Sequence, residues 1–210
     1  MTVPRSTLTR SNIRNIEHAV KIEIGTNIID IEQGIFSDCA TLESVKFPSS
    51  MTKIPKHSFE NCTSLKNVTM QNPIMCIDDY AFAGCSRIEH LRLPSSIITI
   101  GVHAFAGCSS LIDCTMSNDV ETIGSGAFEN CTSLTTVKLS KKLERLASDL
   151  FKNCSSLAEI ESLPTYLLSI GTYAFCDCSS LTHVEIPDTV NFIGSHAFAG
   201  CSSLANVKLS

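Results

Sequence analysis

Cysteine is the residue type with the most chemistry to offer in this sequence, with 11 copies in 210 residues. Eight of them, Cys39, Cys62, Cys85, Cys108, Cys131, Cys154, Cys178 and Cys201, recur at steps of 23 residues with a single step of 24. Such a column could cross-link, hold zinc or supply nucleophiles. If successive units stack like strands, ~4.8 Å apart, their thiols point the same way, whereas a disulfide needs facing Cβ atoms ~3.5–4.5 Å apart. Zinc needs donors converging in a tetrahedron, and the column has no CxxC partner or converging His. The eight are therefore expected to be buried thiols that pack as small hydrophobes. Cys114 falls in a core slot. Cys76 and Cys176 fall in slots that are polar or small in other units, so these two are expected to be the reactive thiols.

The histidines and carboxylates offer less. His57, His103 and His196 share one slot with Tyr80, Tyr173, Asp149, Gly34 and Gly126, and so mixed a column reads as a partly exposed rim. Two of these histidines lie two units apart, about 10 Å at strand spacing, which is too far for one metal ion to bridge. Glu161 and Glu185 have the residue type for acid/base work but no convergent partners and nothing to exclude water. Gly124-Ser125-Gly126 is background of the repeat. No catalytic residue, metal or cofactor is expected, and the chain is read as not an enzyme. Sequons at Asn61, Asn67, Asn130 and Asn153 arise largely from the repeat and do not fix a compartment.

The elements that position these side chains form one repeated unit. Phe occupies positions 36, 59, 82, 105, 128, 151, 175 and 198, each three residues before a Cys, and each Cys precedes a Leu or Ile by three more. The longer step falls between Phe151 and Phe175, where Ser162-Leu163-Pro164 carries an insertion. After the Leu comes an apolar alternation, as in Leu134/Val137/Leu139 and Leu181/Val184/Ile186, which predicts a strand. The strands are expected to stack as one parallel sheet. The Ala-Phe-x-x-Cys-x-x-Leu segment has apolar residues three apart, which predicts a short helical or 3₁₀ turn on the opposite side. A unit alone cannot cover its apolar stripe, so neighbours must supply the other half of the core.

The predicted fold is thus a leucine-rich-repeat solenoid over residues 1–210, read as a single domain. Eight repeats span 27–210, and 1–26 form a degenerate N-terminal repeat with Ile13, Ile16 and Ala19 in the Phe, Cys and Leu slots. The degenerate turn is expected to cap the array. A Gly column at positions 101, 124, 171 and 194 also holds Glu32, Pro55, Asp78 and Ala147, so glycine there is expected to be tolerated and not required by φ.

Net charge is −5 with both signs intermixed, and no basic stripe of the kind that tracks phosphates is present, which argues against nucleic acid. No stretch reaches the ~18 apolar residues of a membrane span. Nor does an apolar leader follow Arg5, Arg10 and Arg14, so no export signal is expected and a cytoplasmic location stays open. The informative surface is the outward side of the strands. Beyond Lys21/Glu23 and Ser44, it presents Lys46, Asn67/Thr69, His90/Arg92, Asp113/Thr115, Thr136/Lys138, Glu159/Glu161, His183/Glu185 and Asn206/Lys208. These positions vary where the core columns do not, and the charge turns from positive to negative along the row. Nine such strands give a ledge ~40 Å long, enough for a protein partner.

The run Ile-Gly-x-x-Ala-Phe-x-x-Cys-Ser-Ser-Leu-x-x-Val-x-Leu/Ile-Pro, clearest from Ile100, Ile170 and Ile193, resembles the BspA-like class of leucine-rich repeats over residues 27 to 210. The resemblance implies a surface or secreted protein that attaches to host components or other cells. The expected function is non-catalytic binding, as an adhesion or recognition module for a protein or glycan through the strand face. An intracellular scaffold and an architectural spacer are the alternatives. The last unit is expected to expose the edge of Ala205 to Leu209, with Phe198, Leu204 and Val207, and to pair with a second copy or with further coils.

Overall fold

A computed structural model describes residues 6–13, 16–71 and 73–209. Arg5 and Arg14 of the leading segment, and Ser210, lie outside these residues. The chain winds as a stack of coils that contribute short strands to two rows, and the inter-coil pairing among the described residues is parallel. One row carries the strands read from the sequence. It runs in three blocks: Lys21–Glu23, Ser44–Lys46 and Asn67–Thr69; then His90–Arg92, Asp113–Thr115, Thr136–Lys138 and Glu159–Ile160; then His183–Ile186 and Asn206–Leu209. Pairing is in register at the 23-residue period, as in Cys114 opposite Leu91 and Val137. The single sheet expected from the sequence is therefore interrupted twice.

A second row was not read from the sequence. Two-residue strands, Lys53–Ile54, Cys76–Ile77, Thr99–Ile100 and Thr122–Ile123, pair in one block, and Arg145–Leu146, Ser169–Ile170 and Phe192–Ile193 in another. Ser6–Leu8 pairs with Ile28–Ile31 at the start of the chain. The signal was a single buried Ile or Leu per coil, too short for a period of two to show.

The expected helical turns on the side opposite the long strands are corrected. Among the described residues the only helical turns are 3₁₀ turns at Arg10–Asn12 and Ile16–His18. The Phe-bearing segments are instead tight turns in which alternate N–H groups point along the solenoid. His57, Phe59 and Asn61 donate to Asp79, Ala81 and Ala83 of the next coil at 3.0, 2.8 and 2.7 Å. Ser58, Glu60 and Cys62 donate to their own coil, three residues back. Two left-handed residues per coil enforce this alternation and stop a helix: φ is 56° at His57 and 59° at Asn61. The slot before each Cys is left-handed in every unit and holds only Asn, Asp or Gly, the types that bear that conformation best.

The core is a spine of phenylalanines. Phe36, Phe59, Phe82, Phe105, Phe128, Phe151, Phe175 and Phe198 stack ring on ring, with centroids 5.0–5.7 Å apart. The insertion between Phe151 and Phe175 leaves their stacking at 5.5 Å, so the extra residue is absorbed at Ser162-Leu163-Pro164. Leu, Val and Ile of the strands fill the space around the spine, and Ile13, Ile16 and Ile22 of the leading turn pack against it.

At the Gly column, the φ argument holds because none of the four is left-handed. A close approach supplies the reason for glycine instead. A Cβ at Gly124 would lie 2.4 Å from the backbone nitrogen of Val102. Ala147 occupies this slot in the next coil, and there the second row breaks, between Thr122–Ile123 and Arg145–Leu146. Asp78 also carries a Cβ yet keeps its bond to the Ile54 carbonyl at 2.9 Å, so the Cβ is not the whole cause.

Candidate functional site

The Cys column is built into the backbone. Cys62, Cys85, Cys154, Cys178 and Cys201 each place Sγ 3.1 Å from the carbonyl of the Phe in the preceding coil, and Cys108 and Cys131 do so at 3.4 and 3.3 Å. That carbonyl also accepts the N–H of its own coil's Cys, so both lone pairs are used. A thiol can donate only while protonated, and burial pushes the thiols of Cys62, Cys108 and Cys154 up to about 12. These thiols are inert structural donors.

Cys76 and Cys176 do not meet the expectation of reactivity. Cys76 Sγ donates to Asp78 Oδ1 at 3.1 Å and Cys176 Sγ to Asp177 Oδ2 at 3.2 Å. Burial first, and then the carboxylate beside each thiol, raise them to about 12 and about 11. An activated thiol needs a dominant positive neighbour, and here the carboxylate outweighs the pull of Lys53 on Cys76 and of Lys152 on Cys176.

The slot two before Phe is a rim, and it is ordered by stacking. His57, Tyr80 and His103 stack at 5.1 Å between successive rings, and Tyr173 and His196 repeat the arrangement at 5.1 Å. The His103 ring covers Gly126, where a Cβ would lie 2.3 Å from it. All eight residues of this slot are left-handed, a strain for His and Tyr that ring stacking and ion pairs offset. His57 Nδ1 lies 2.8 Å from Glu60, and Lys152 sits 5.6 Å over the Tyr173 ring. Among the described residues no group of metal-ligating side chains converges.

The outward face of the long row is where the structure places every sequence-predicted binding residue. Lys46, Asn67, Thr69, His90, Arg92, Thr115, Thr136, Lys138, Glu159, Glu161, His183, Glu185, Asn206 and Lys208 are exposed, and Asp113 is half-buried. Their charges are largely matched across coils, which the sequence did not show. Lys46 pairs with Glu23 at 2.7 Å, His90 with Asp113 at 2.8 Å and Lys138 with Glu161 at 3.0 Å, and Lys208 holds Glu185. The change of sign read along the row is thus offset by lysines one coil away. Exposed pairs of this kind contribute little to stability, but they fix side-chain positions.

Three of the breaks in the strand rows open clefts. On the outward face one lies between Asn67–Thr69 and His90–Arg92, with a volume of about 500 Å³. Another, of about 390 Å³, lies at the insertion, between Ile160 and His183. The third lies on the second row, where Lys142 bridges Asp119 and Glu121 at 3.0 and 3.6 Å. Sequence reasoning missed all three; only the extra residue at Ser162-Leu163-Pro164 signalled one of them.

The BspA type leucine rich repeat region matches this chain in six copies, over residues 7–112 and 99–210. The chain belongs to that family. As a member of the BspA-type repeats it superimposes on a leucine-rich repeat protein of Bacteroides ovatus with a TM-score of 0.82 at 29% identity, over 86% of this chain and 49% of that one. It therefore spans about half the length of that relative. A leucine rich repeat protein of T. pallidum is 26% identical with a TM-score of 0.76, over 95% of this chain and 83% of that one. A leucine rich cell surface protein of Faecalibacterium prausnitzii shares the fold, at 24% identity and a TM-score of 0.58, over 87% of this chain and 64% of that one. No curated protein matches the chain.

Proposed function

We propose that this chain is a non-catalytic recognition module of adhesion type that binds a protein or glycan through the outward face of its long strand row. The observation that carries the reading is the contrast between two sets of columns. Phe, Cys and Leu slots repeat from coil to coil and are largely buried, whereas the outward strand slots are mostly exposed and vary along the row. A repeat that holds its core fixed while varying one face has the form of a scaffold for recognition. Glu161 and Glu185, the carboxylates weighed from the sequence for acid/base work, are engaged by Lys138 and Lys208, which supports a non-enzymatic role. The cell-surface description of the Faecalibacterium protein is in keeping with the adhesion reading.

Arrays of defined proteins and glycans test the reading. A ligand bound by the chain is expected to be lost on Thr115→Trp with Thr136→Trp, which block the middle of the face. It is expected to be kept on Thr63→Trp with Thr132→Trp, exposed positions on the corner after the Cys column. The opposite pattern, or loss with neither pair, would remove the face from the account. A second reading, a scaffold in a reducing compartment, is favoured by the Cys column, whose thiols must stay reduced to donate.

A further inference from the structure

The first break in the outward row departs from the repeat in backbone, sequence and charge together. At the other junctions of this row the residue before each strand donates its N–H to its counterpart one coil earlier. Lys66 reaches the Glu43 carbonyl at 3.0 Å, Ile112 the Glu89 carbonyl at 2.9 Å and Thr135 the Ile112 carbonyl at 2.9 Å. Among the described residues Glu89 makes no such bond to Lys66. The strands themselves are unpaired here as well, since Asn67–Thr69 ends one block of the row and His90–Arg92 begins the next. Backbone groups of both strands are thus left without ladder partners, and among the described junctions of this row only this one also lacks the bond that precedes the strand.

Arg87 is the sequence departure. Two residues after Cys, every other unit carries Ser or Thr, and this one carries Arg. Core packing gives no reason for it, since Arg87 is exposed. The charge departure follows. Lys66, Arg87 and Arg92 line the cleft and, among the described residues, none is in an ion pair, while Lys46, Lys138 and Lys208 on the same face each hold a carboxylate. The cleft has only Glu89 to set against these three cations, because the nearby Asp113 is held by His90. Its floor is Val68 and Met70.

We propose that the cleft between Asn67–Thr69 and His90–Arg92 takes an acidic, extended peptide segment of a protein partner, with Arg87 and Arg92 clasping its carboxylates. This rests on the reading of the outward face as the recognition surface. Planar guanidinium groups donate two parallel hydrogen bonds to one carboxylate, a fork that ammonium groups lack. Unpaired backbone N–H and C=O groups are complementary to a peptide main chain in extended form. No Trp, Tyr or Phe lines the cleft, and its one ring, His90, is engaged by Asp113, so a sugar would find no large aromatic face there. Asn67 and Thr69 add side-chain polar groups at the same level.

The test uses the intact chain and a fluorescent oligoglutamate peptide, with an oligogalacturonate of equal charge as competitor, followed by anisotropy across a salt series. Arg87→Ser with Arg92→Thr, residues that other units carry in those slots, is expected to weaken peptide binding about tenfold or more, as loss of desolvated charge partners does. Arg87→Lys with Arg92→Lys keeps the charge and removes the forks, and is expected to fall between. Lys141→Ser with Arg145→Ser, which removes exposed cations from the cleft on the second row, is expected to leave affinity unchanged. Equal affinity in the Ser/Thr variant, an equal loss in the Lys141/Arg145 control, or stronger binding by the galacturonate would overturn the proposal. Circular dichroism of each variant checks that the fold is retained. If the Trp pair at Thr115 and Thr136 abolishes an array ligand while Arg87 and Arg92 prove irrelevant, the cleft fails and the face stands; if neither matters, both fail.

Discussion

At the scale of the residue, the Cys column shows how a side chain that looks reactive becomes structural. Each thiol sits over a carbonyl of the preceding coil, and burial disfavours the thiolate. This gives a pH dependence with a definite sign. The folded-state value is raised, to about 12 for Cys62, Cys108 and Cys154, above an unfolded value of about 8.5. Between these values the unfolded chain releases protons that the folded chain retains, so stability is full below the lower value and falls as pH rises toward the upper one. Thermal unfolding under reducing conditions should show a midpoint that is level around neutrality and drops steadily from about pH 9. A flat midpoint through pH 11 would show the thiols to be exposed or already ionised. Mass spectrometry without reductant should likewise find no Cys108 to Cys131 bridge in the folded chain.

At the scale of the element, the spine and the strands were legible because each is written as a column of one residue type at a fixed period. Phe128 is fully buried between Phe105 and Phe151, at 5.5 and 5.7 Å. Phe128→Ala should cost ~3–5 kcal/mol by denaturant titration, because stiff neighbouring coils cannot collapse into the space. A loss under ~1 kcal/mol would place that column outside the core. The turns were misread because apolar residues three apart suggest a helix, whereas two left-handed residues per coil forbid one. The slot before Cys carried that signal in its restriction to Asn, Asp and Gly. The slot two before Phe did not, since His57, Tyr80 and His103 are held left-handed by stacking on one another across coils, a contact no local pattern encodes. The outward positions of the strands were read correctly, but their ion pairs and the breaks between strands depend on how neighbouring coils tilt. Arg87 was visible all along as an exception in a Ser/Thr column, and it acquires meaning only beside the open rung.

At the scale of the whole molecule, the array is one-dimensional: each coil is covered by its neighbours, and the last coil of these 210 residues has a neighbour on one side only. Val207 and Leu209 are 49% and 74% exposed, and Phe192 and Ile193, in the second row of the same last coil, 57% and 45%. Phe198 and Leu204, named with Val207 from the sequence, are half-buried. An apolar end of this kind invites a second copy or a further coil. Light scattering of the 210-residue chain over a dilution series should show a dimer that charged substitutions at Ala205 and Val207 dissociate. A monomer at every concentration would mean that this end needs no cover. The central claim, that the chain recognises a partner through the outward strand face, is tested most directly by hydrogen exchange with and without a ligand found on the arrays. The account predicts new protection along the long row, centred on 67–69 and 90–92, with the Phe-bearing turns and the second row unchanged. Protection confined to those turns, or to the short strands from Lys53 to Ile193, would contradict it.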